Sequence, residues 1–439
     1  MFGYYLSNVW RSWRRSPVLT ALVAAAIALG IGVWITMLTV FTIMSSNPIP
    51  EKSDVLFRVQ IDSWDPLRPF DDDEPERAPI QWTWRDVANL LAAAAAPRQA
   101  GMFESEVVID PAGAEQLPFE ASARVTNSDF FPMFVPPFRY GGGWDAKADR
   151  DAEQVIVLGR ALNDRLFGGE NSVGRKLMVN ERMFTVVGVL DDWEPMPRVY
   201  DIVNNPFQEV EEAFIPLSLA PVMELGSSGS DWGWKPETIV TYEDYLNSES
   251  VWLQYWAELP TAGDRSAYLA HLEAYVNEQK ALGRFGRPMN NHIHDVMEWM
   301  AYNEVVDEDV SVLVGLGALF LVVCLLSSVS LLLTRFNGRA PEMSLRRALG
   351  ATRMQIVAQN LVEVGLVGAI GGLAGIGLCY LGLAWLQDAL TRAPAAMFAL
   401  DWPMVLAAVF VAIVSSLLAG LYPALRVTRI SPAQQLKTQ

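Results

Sequence analysis

The sequence is poor in the residues that most often carry chemistry. Only two cysteines occur among 439 residues, Cys324 and Cys379, and both lie inside long apolar runs. No disulfide can staple the polar parts of the chain, so they must rely on a core of their own. Histidine is limited to His271, His292 and His294. His292 and His294 could share one face of a strand, but structural zinc sites take four ligands at recognisable spacing, and no cysteine is at hand. They read as a surface pair. No serine sits in a G-x-S-x-G elbow, so nucleophilic catalysis has no support. A phosphate loop is missing as well. "GENSVGRK", from Gly169 to Lys176, comes nearest, but Arg175 stands where lysine is needed and Leu177 follows Lys176. The motif needs G-K-[ST], so that amides and lysine hold phosphates while the hydroxyl holds magnesium. This stretch reads as a glycine turn between a helix and a strand. The chain is expected to bind no cofactor or metal and not to hydrolyse ATP alone.

Charge is absent from four long stretches: Pro17–Met44, Val310–Thr334, Val364–Gln387 and Trp402–Leu425. A membrane-crossing helix needs about 20 apolar residues, and each charge in it disfavours insertion by about 2.5–3.5 kcal/mol. These four are expected to span a membrane. The first is longer than a signal-peptide core and no A-x-A site follows it, so it reads as an uncleaved anchor. At 1.5 Å per residue its 28 residues reach about 42 Å, enough to continue beyond the bilayer as a stalk.

The charge that is present is unevenly spread. Glu51 to Asp309 holds 46 acids and 21 bases, a net of −25, and the rest holds 4 acids and 12 bases, a net of +8. Together these make the overall −17. An acidic chain implies no nucleic-acid partner. The flanking bases set the topology. Arg11, Arg14 and Arg15 precede the first span, and Arg335, Arg339, Arg346, Arg347 and Arg353 lie between the second and third. Arg426, Arg429 and Lys437 follow the fourth, whereas the loop 388–401 has only Arg392 beside Asp388 and Asp401. The positive-inside rule then puts residues 1–16, 335–363 and 426–439 in the cytoplasm. Residues 45–309 and the loop 388–401 fall outside.

The external segment is expected to be an α+β domain, since strand and helix patterns intermix. "VLFRVQI" (Val55–Ile61), "QVIVLG" (Gln154–Gly159), "EAFIPL" and "SVWLQYWAEL" read as strands. Arg175–Leu190 reads as two strands joined at Asn180-Glu181. Trp82–Ala95, Arg160–Phe167 and Asp264–Leu282 read as helices. Asp65–Pro79, "DPLRPFDDDEPERAP", reads as a solvated acidic loop, not as paired catalytic carboxylates. Asn204–Ser250 reads as an insertion or flap, whose aromatics, Trp232 and Trp234 among them, form either a partner surface or local packing.

The most specific stretch is "PEMSLRRALGATRMQIVAQNLVE", Pro341 to Glu363, between the second and third spans. Pro341 suits a first helical turn and Glu342 there complements the helix dipole. Leu345 and Leu349 are one turn apart and face one way, with Arg346 and Arg347 pointing elsewhere. Gly350 can end the helix in a left-handed conformation. Thr352 and Gln355 form a T-x-x-Q capping box for a second helix, which runs through Met354, Ile356 and Leu361 into the third span. A short basic helix, a glycine corner and a helix continuous with a span could carry displacement from a cytoplasmic partner into the membrane. The same helix could equally lie on anionic lipid.

"EMSLRRALGATRMQIVAQNLVE" resembles the signature of the MacB/FtsX-type permeases of ABC transporters. "VTNSDFFPMF" and Val155–Leu190 resemble that family's extracytoplasmic core domain, and "YPALRVTRISPAQQLKT" resembles its C-terminal tail. The resemblance spans the chain except Asn204–Ser250. It departs at "TRFNGRAPE", which lacks the usual E/R-rich approach, and in having only 16 residues before the first span, where MacB carries its ATPase. What it implies is a non-catalytic permease subunit that works as a homo- or heterodimer in a bacterial inner membrane. Glu342, Leu345, Arg346, Arg347, Leu349, Gly350 and Arg353 would form the coupling helix that docks on a separate ATPase, which itself binds ATP and Mg. The implied activity is transmission of ATP-driven motion to the external domain for efflux of a small molecule or peptide, with membrane lipids around it. A periplasmic adaptor and an outer-membrane channel are open as further partners. Extraction of lipoproteins or lipids, regulation of a cell-wall hydrolase, and a lipid-binding protein without an ATPase are the alternatives.

Overall fold

The computed structural model describes residues 13–111, 117–389 and 402–429. They form two compact units, one of residues 46–305 and one of the flanking segments. In chain order the elements begin with α1 (Pro17–Met44), β1 (Leu56–Gln60), α2 (Trp84–Ala93), β2 (Arg98–Asp110), β3 (Phe119–Thr126), α3 (Phe130–Phe134), β4 (Phe138–Gly141) and α4 (Ala146–Asp151). There follow β5 (Val155–Leu158), α5 (Arg160–Phe167), β6 (Lys176–Val179), β7 (Arg182–Leu190), β8 (Ala213–Pro216), α6 (Ala220–Met223), α7 (Tyr242–Asn247) and β9 (Gln254–Glu258). The chain continues through α8 (Ala262–Ala281), β10 (His292–Asp295), α9 (Val296–Tyr302), α10 (Glu308–Asn337), α11 (Ala340–Ala348), α12 (Arg353–Ala389) and α13 (Trp402–Arg429).

The central unit is a mixed sheet in the order β10-β1-β9-β2-β3-β8-β5-β7-β4, with β6 pairing β2 and β7. Apolar clusters cover both faces, one built on Phe103, Ile156 and Trp252, the other on Phe130, Phe214 and Trp256. Strands β1 and β5 are therefore buried along their whole length; β5 reads as a continuous apolar run, whereas β1 also buries Arg58 and Gln60. The β6–β7 turn falls at Asn180 and Glu181, whose φ values of 44° and 63° are those of a two-residue hairpin. Helices α2 and α8 start on Thr83 and Thr261, whose side chains accept from the amides of Asp86 and Asp264.

One expectation needs correction. Asn204–Ser250 is not an insertion as a whole: it contains β8, buried between β3 and β5 in the sheet. Its aromatics pack locally, with the Trp232 ring 5.4 Å from Phe70, which is itself edge-on to Trp64. The longest strand, β2, was absent from the sequence reading, as were β3, β4 and the short helices α3, α4, α7 and α9.

The flanking unit holds four helices long and apolar enough to cross a membrane: Pro17–Met44, Asp309–Asn337, Arg353–Gln387 and Pro403–Val427. Small residues let two of them approach closely. A Cβ added at Gly371 would lie 3.0 Å from the Ala24 carbonyl oxygen, and one at Gly375 would lie 3.0 Å from that of Ala28. Gly371 and Gly375 are four apart, so α12 presents one glycine face to α1. Helix α12 runs without a break from Arg353, eleven residues before the expected start of the third span at Val364.

Candidate functional site: the helical corner between the second and third spans

Residues 338–363 fold as the local chemistry dictates. Pro341 lies in the first turn of α11, and Glu342 is its acidic residue there. The helix ends on two reverse hydrogen bonds, from Gly350 N–H to Arg347 O and from Ala351 N–H to Arg346 O, both 3.1 Å. That pattern needs a left-handed residue, and Gly350 supplies it with φ 102°. The expected capping box then opens α12: the Thr352 amide donates to Gln355 Oε1 at 3.0 Å, and the Gln355 amide to Thr352 Oγ1 at 3.3 Å.

Ionic and polar contacts brace the corner. Arg335 and Arg339 both donate to Glu363, which is almost wholly buried. Arg346 donates to Glu342 at 2.8 Å and to Gln359 on α12 at 3.0 Å. Glu342 also accepts from Arg15, just before α1, at 3.0 Å. Asn360 Nδ2 lies 3.9 Å from Met343 Sδ. The corner thus ties three helices at one end of the four-helix unit.

The seven residues singled out in the sequence divide by environment. Leu345 and Leu349 are 60% and 80% exposed, and Met354 across the corner is 77% exposed. These are the outward apolar side chains of the corner, and Arg353 is exposed as well. Glu342 and Arg346 are engaged within the chain, so their charges hold α11 in place. Arg346, expected to point away from the leucines, turns to Glu342 and Gln359. What the sequence did not reveal is the pairing of Arg335 and Arg339 with Glu363, because 24 residues or more separate the partners.

Two other polar clusters lie in the central unit. Glu104, Asp201 and Glu211 bring carboxylate oxygens within 4.8 Å of one another, a spacing that could suit a metal. Two buried guanidiniums share those oxygens: Arg124 donates to Asp201 at 2.7 Å and to Glu211, and Arg198 to Glu211 at 2.6 Å. Burial alone would raise the Glu211 pKa, but Arg124 and Arg198 outweigh it and hold it below the ordinary value. The charges are met inside the protein, and the donor set does not call for a cation. His292 and His294 stack 5.7 Å apart on β10, each with Nε2 engaged, by Asn290 at 2.6 Å and Gln60 at 3.0 Å. "GENSVGRK" forms the α5–β6 turn, with Gly168, Gly169 and Gly174 at positive φ.

Four helices long and apolar enough to span a membrane, a large α+β domain between the first two and a braced helical corner between the second and third define a multi-pass membrane protein. The MacB-like periplasmic core domain profile matches residues 20–251 and the FtsX-like permease C-terminal profile matches residues 314–432. The chain belongs to the MacB/FtsX-type permease family, a bacterial inner-membrane family. The first match runs through the 204–250 segment, in agreement with the place of β8 in the sheet.

Named relatives are distant. The macrolide export ATP-binding/permease protein MacB of Syntrophobacter fumaroxidans is 25% identical over 71% of this chain and 46% of its own length. The pyoverdine export ATP-binding/permease protein PvdT of Pseudomonas aeruginosa is 23% identical over 74% of this chain and 43% of its own. An uncharacterized ABC transporter permease of Bacillus subtilis, YknZ, is 29% identical over 65% and 62%. The chain spans less than half the length of the two export proteins. Among solved structures, the periplasmic region of MacB from Actinobacillus actinomycetemcomitans matches 59% of this chain and 98% of that one, at 14% identity and a TM-score of 0.36.

Proposed function

We propose that this chain is the permease subunit of an ABC transporter complex, paired with a second permease subunit and driven by an ABC ATPase. ATP-driven movement of the ATPase displaces α11. The buried Arg335–Glu363 and Arg339–Glu363 pairs pass that displacement to α10 and α12, and Arg15–Glu342 passes it to the base of α1. The central domain, held outside the membrane, then acts on a small molecule or peptide in efflux. Both termini and the α11 corner lie in the cytoplasm in this reading. Relatives named for macrolide and pyoverdine export favour efflux over the other activities of such permeases.

The observation that carries the reading is the outward exposure of Leu345, Leu349 and Met354 on a corner where Arg346 and Glu342 are engaged in internal bracing. Burying one leucine on a partner contributes about 1.5–3 kcal/mol, whereas an exposed ion pair contributes about 0–1 kcal/mol. Leu349→Asp is therefore expected to abolish co-purification and stimulated turnover of the partner ATPase, and Arg347→Ala only to weaken them. Because Leu349 is 80% exposed, the variant should still fold. Intact co-purification and turnover in Leu349→Asp would refute the docking role. Loss in Arg347→Ala alone, with vesicle binding lost in parallel, would instead place α11 on lipid.

A further inference from the structure

An open cleft of about 640 Å³ indents the central domain beside α2. That volume is typical of sites for drug-sized molecules. One wall is the outer face of α2, where Ala88 and Ala92, four residues apart, line the cleft with Trp84 and Leu91. The small side chains leave room, and the larger ones offer apolar surface. The charged part of the lining is two carboxylates and one guanidinium, that of Arg150. The carboxylates are those of Asp129, after β3, and Asp149, on α4.

Neither carboxylate forms an ion pair among the described residues. Asp149 accepts from the Ser128 amide at 2.7 Å and from Trp144 Nε1 at 2.8 Å. Asp129 uses Oδ2 to accept from the Gln99 amide at 3.0 Å. Burial raises the Asp149 pKa, and its hydrogen bonds from Ser128 and Trp144 oppose the rise. The cations nearby are Arg150, exposed on the rim, and Arg98, which is bonded to Glu258 at 2.7 Å. Ser218 also lines the cleft, with its Oγ turned away from solvent. Two carboxylates without an ion pair beside apolar side chains offer matched surface to a ligand that is cationic at one end and apolar at the other.

We propose that this cleft binds a cationic amphiphilic small molecule, its amine held by Asp129 and Asp149 and its apolar body laid on the Ala88–Ala92 face of α2. The amine supplies the ion pair that the two carboxylates lack, and the alanines give the body access to Trp84 and Leu91. The site goes beyond the transport reading, and its test needs neither ATP nor an ATPase.

The test is isothermal titration of the full chain in micelles of dodecyl maltoside, whose head group carries neither an amine nor a charge. The probes are 4-phenylbutylamine, the uncharged 4-phenylbutanol and the anionic 4-phenylbutyrate. Binding of the amine is expected to be at least ten-fold tighter than that of the alcohol, with no binding of the carboxylate. Asp129→Asn, which keeps an oxygen for the Gln99 amide, should weaken the amine at least ten-fold. It should leave the alcohol unchanged. Ala92→Trp, at an exposed position that can accept a large side chain, should weaken both. Absence of amine binding, equal affinity for amine and alcohol, or an unchanged Asp129→Asn would overturn the proposal. Binding that survives Ala92→Trp would place the ligand elsewhere and overturn it too.

Discussion

Arg335, near the end of α10, donates to Glu363 on α12, and the two side chains are only 1% and 3% exposed. Arg339 reaches the same carboxylate at 3.1 Å. Charges at the margin of spanning helices persist only where they are paired. Removing the carboxylate leaves two guanidiniums without it in a poorly hydrated place, and breaking a buried pair costs about 3–5 kcal/mol. Glu363→Ala should therefore lower the melting temperature of the purified chain sharply, and Arg335→Met added to it should recover part of the loss. A melting temperature unmoved by Glu363→Ala would show that the pair does not hold the corner.

Gly350 bears on the same corner by a different route. With φ at 102° it occupies backbone space that a side chain resists, yet a Cβ placed there would meet nothing within 4 Å. The penalty for Gly350→Ala is thus conformational rather than steric, about 1–2 kcal/mol. Gly350→Asn should cost less, since asparagine tolerates the left-handed region better than other residues. Thermal unfolding of the two variants checks the order, and equal stability of Gly350→Ala and the native chain would mean the corner refolds around the substitution.

The corner was legible because its chemistry is local. Pro341, Gly350 and the Thr352–Gln355 box act on backbone groups a few residues away, so sequence order carries the information. The spanning helices were legible for the same reason of uniform composition. The sheet was legible only in part. β5 and β7 read as strands, but β2 places Gln99, Glu104 and Ser105 in the interior, which breaks the apolar signature. Those residues are tolerated because distant partners meet them: Glu104 faces Arg124 and Arg198, and Gln99 accepts from Tyr255. Such partnerships leave no mark on spacing. The cleft beside α2 was hidden in the same way, since Ala88, Asp129 and Asp149 meet only through the fold.

The buried cluster gives a third prediction. Glu211 accepts from Arg124, Arg198 and Tyr200, all buried. Glu211→Gln keeps the shape and removes the charge that both guanidiniums use, so it should destabilise the chain by about 3–5 kcal/mol. Calcium or zinc should leave the native melting temperature unchanged, because Arg124 and Arg198 already stand among the carboxylates. A rise of several degrees with either ion would assign the cluster to a metal instead.

Membrane orientation is checked by chemical labelling. Asp72 lies exposed in the acidic loop of the central domain. If the positive-inside rule governs, a cysteine at position 72 will react with an impermeant maleimide in intact cells once the outer membrane is permeabilised. The native Cys324 and Cys379 are buried in spanning helices and should stay silent. Labelling that appears only after the inner membrane is lysed would reverse the topology and remove the cytoplasmic setting that the docking role of α11 requires.

His294 should make the central domain sensitive to mild acid. Its ring stacks 4.6 Å from Tyr302, and its Nε2 meets Gln60 Oε1 at 3.0 Å. Burial first, then the neighbouring His292, lowers its pKa from 6.5 to about 4; Arg58 adds to the lowering and Asp295 opposes it. The unfolded chain protonates this imidazole at its ordinary pKa, so between pH 6.5 and about 4 the unfolded state binds a proton that the folded state refuses. The stability from a neutral His294 is whole above that window, falls as the pH drops through it, and levels off below. The ring is partly exposed and solvent screens it, so the loss between pH 7 and pH 5 should be on the order of 1 kcal/mol. His294→Phe keeps a ring against Tyr302 and cannot titrate. Its melting temperature should therefore fall less between pH 7 and pH 5 than that of the native chain. An equal fall in both would assign the acid sensitivity to other groups and leave His294 as a packing residue only.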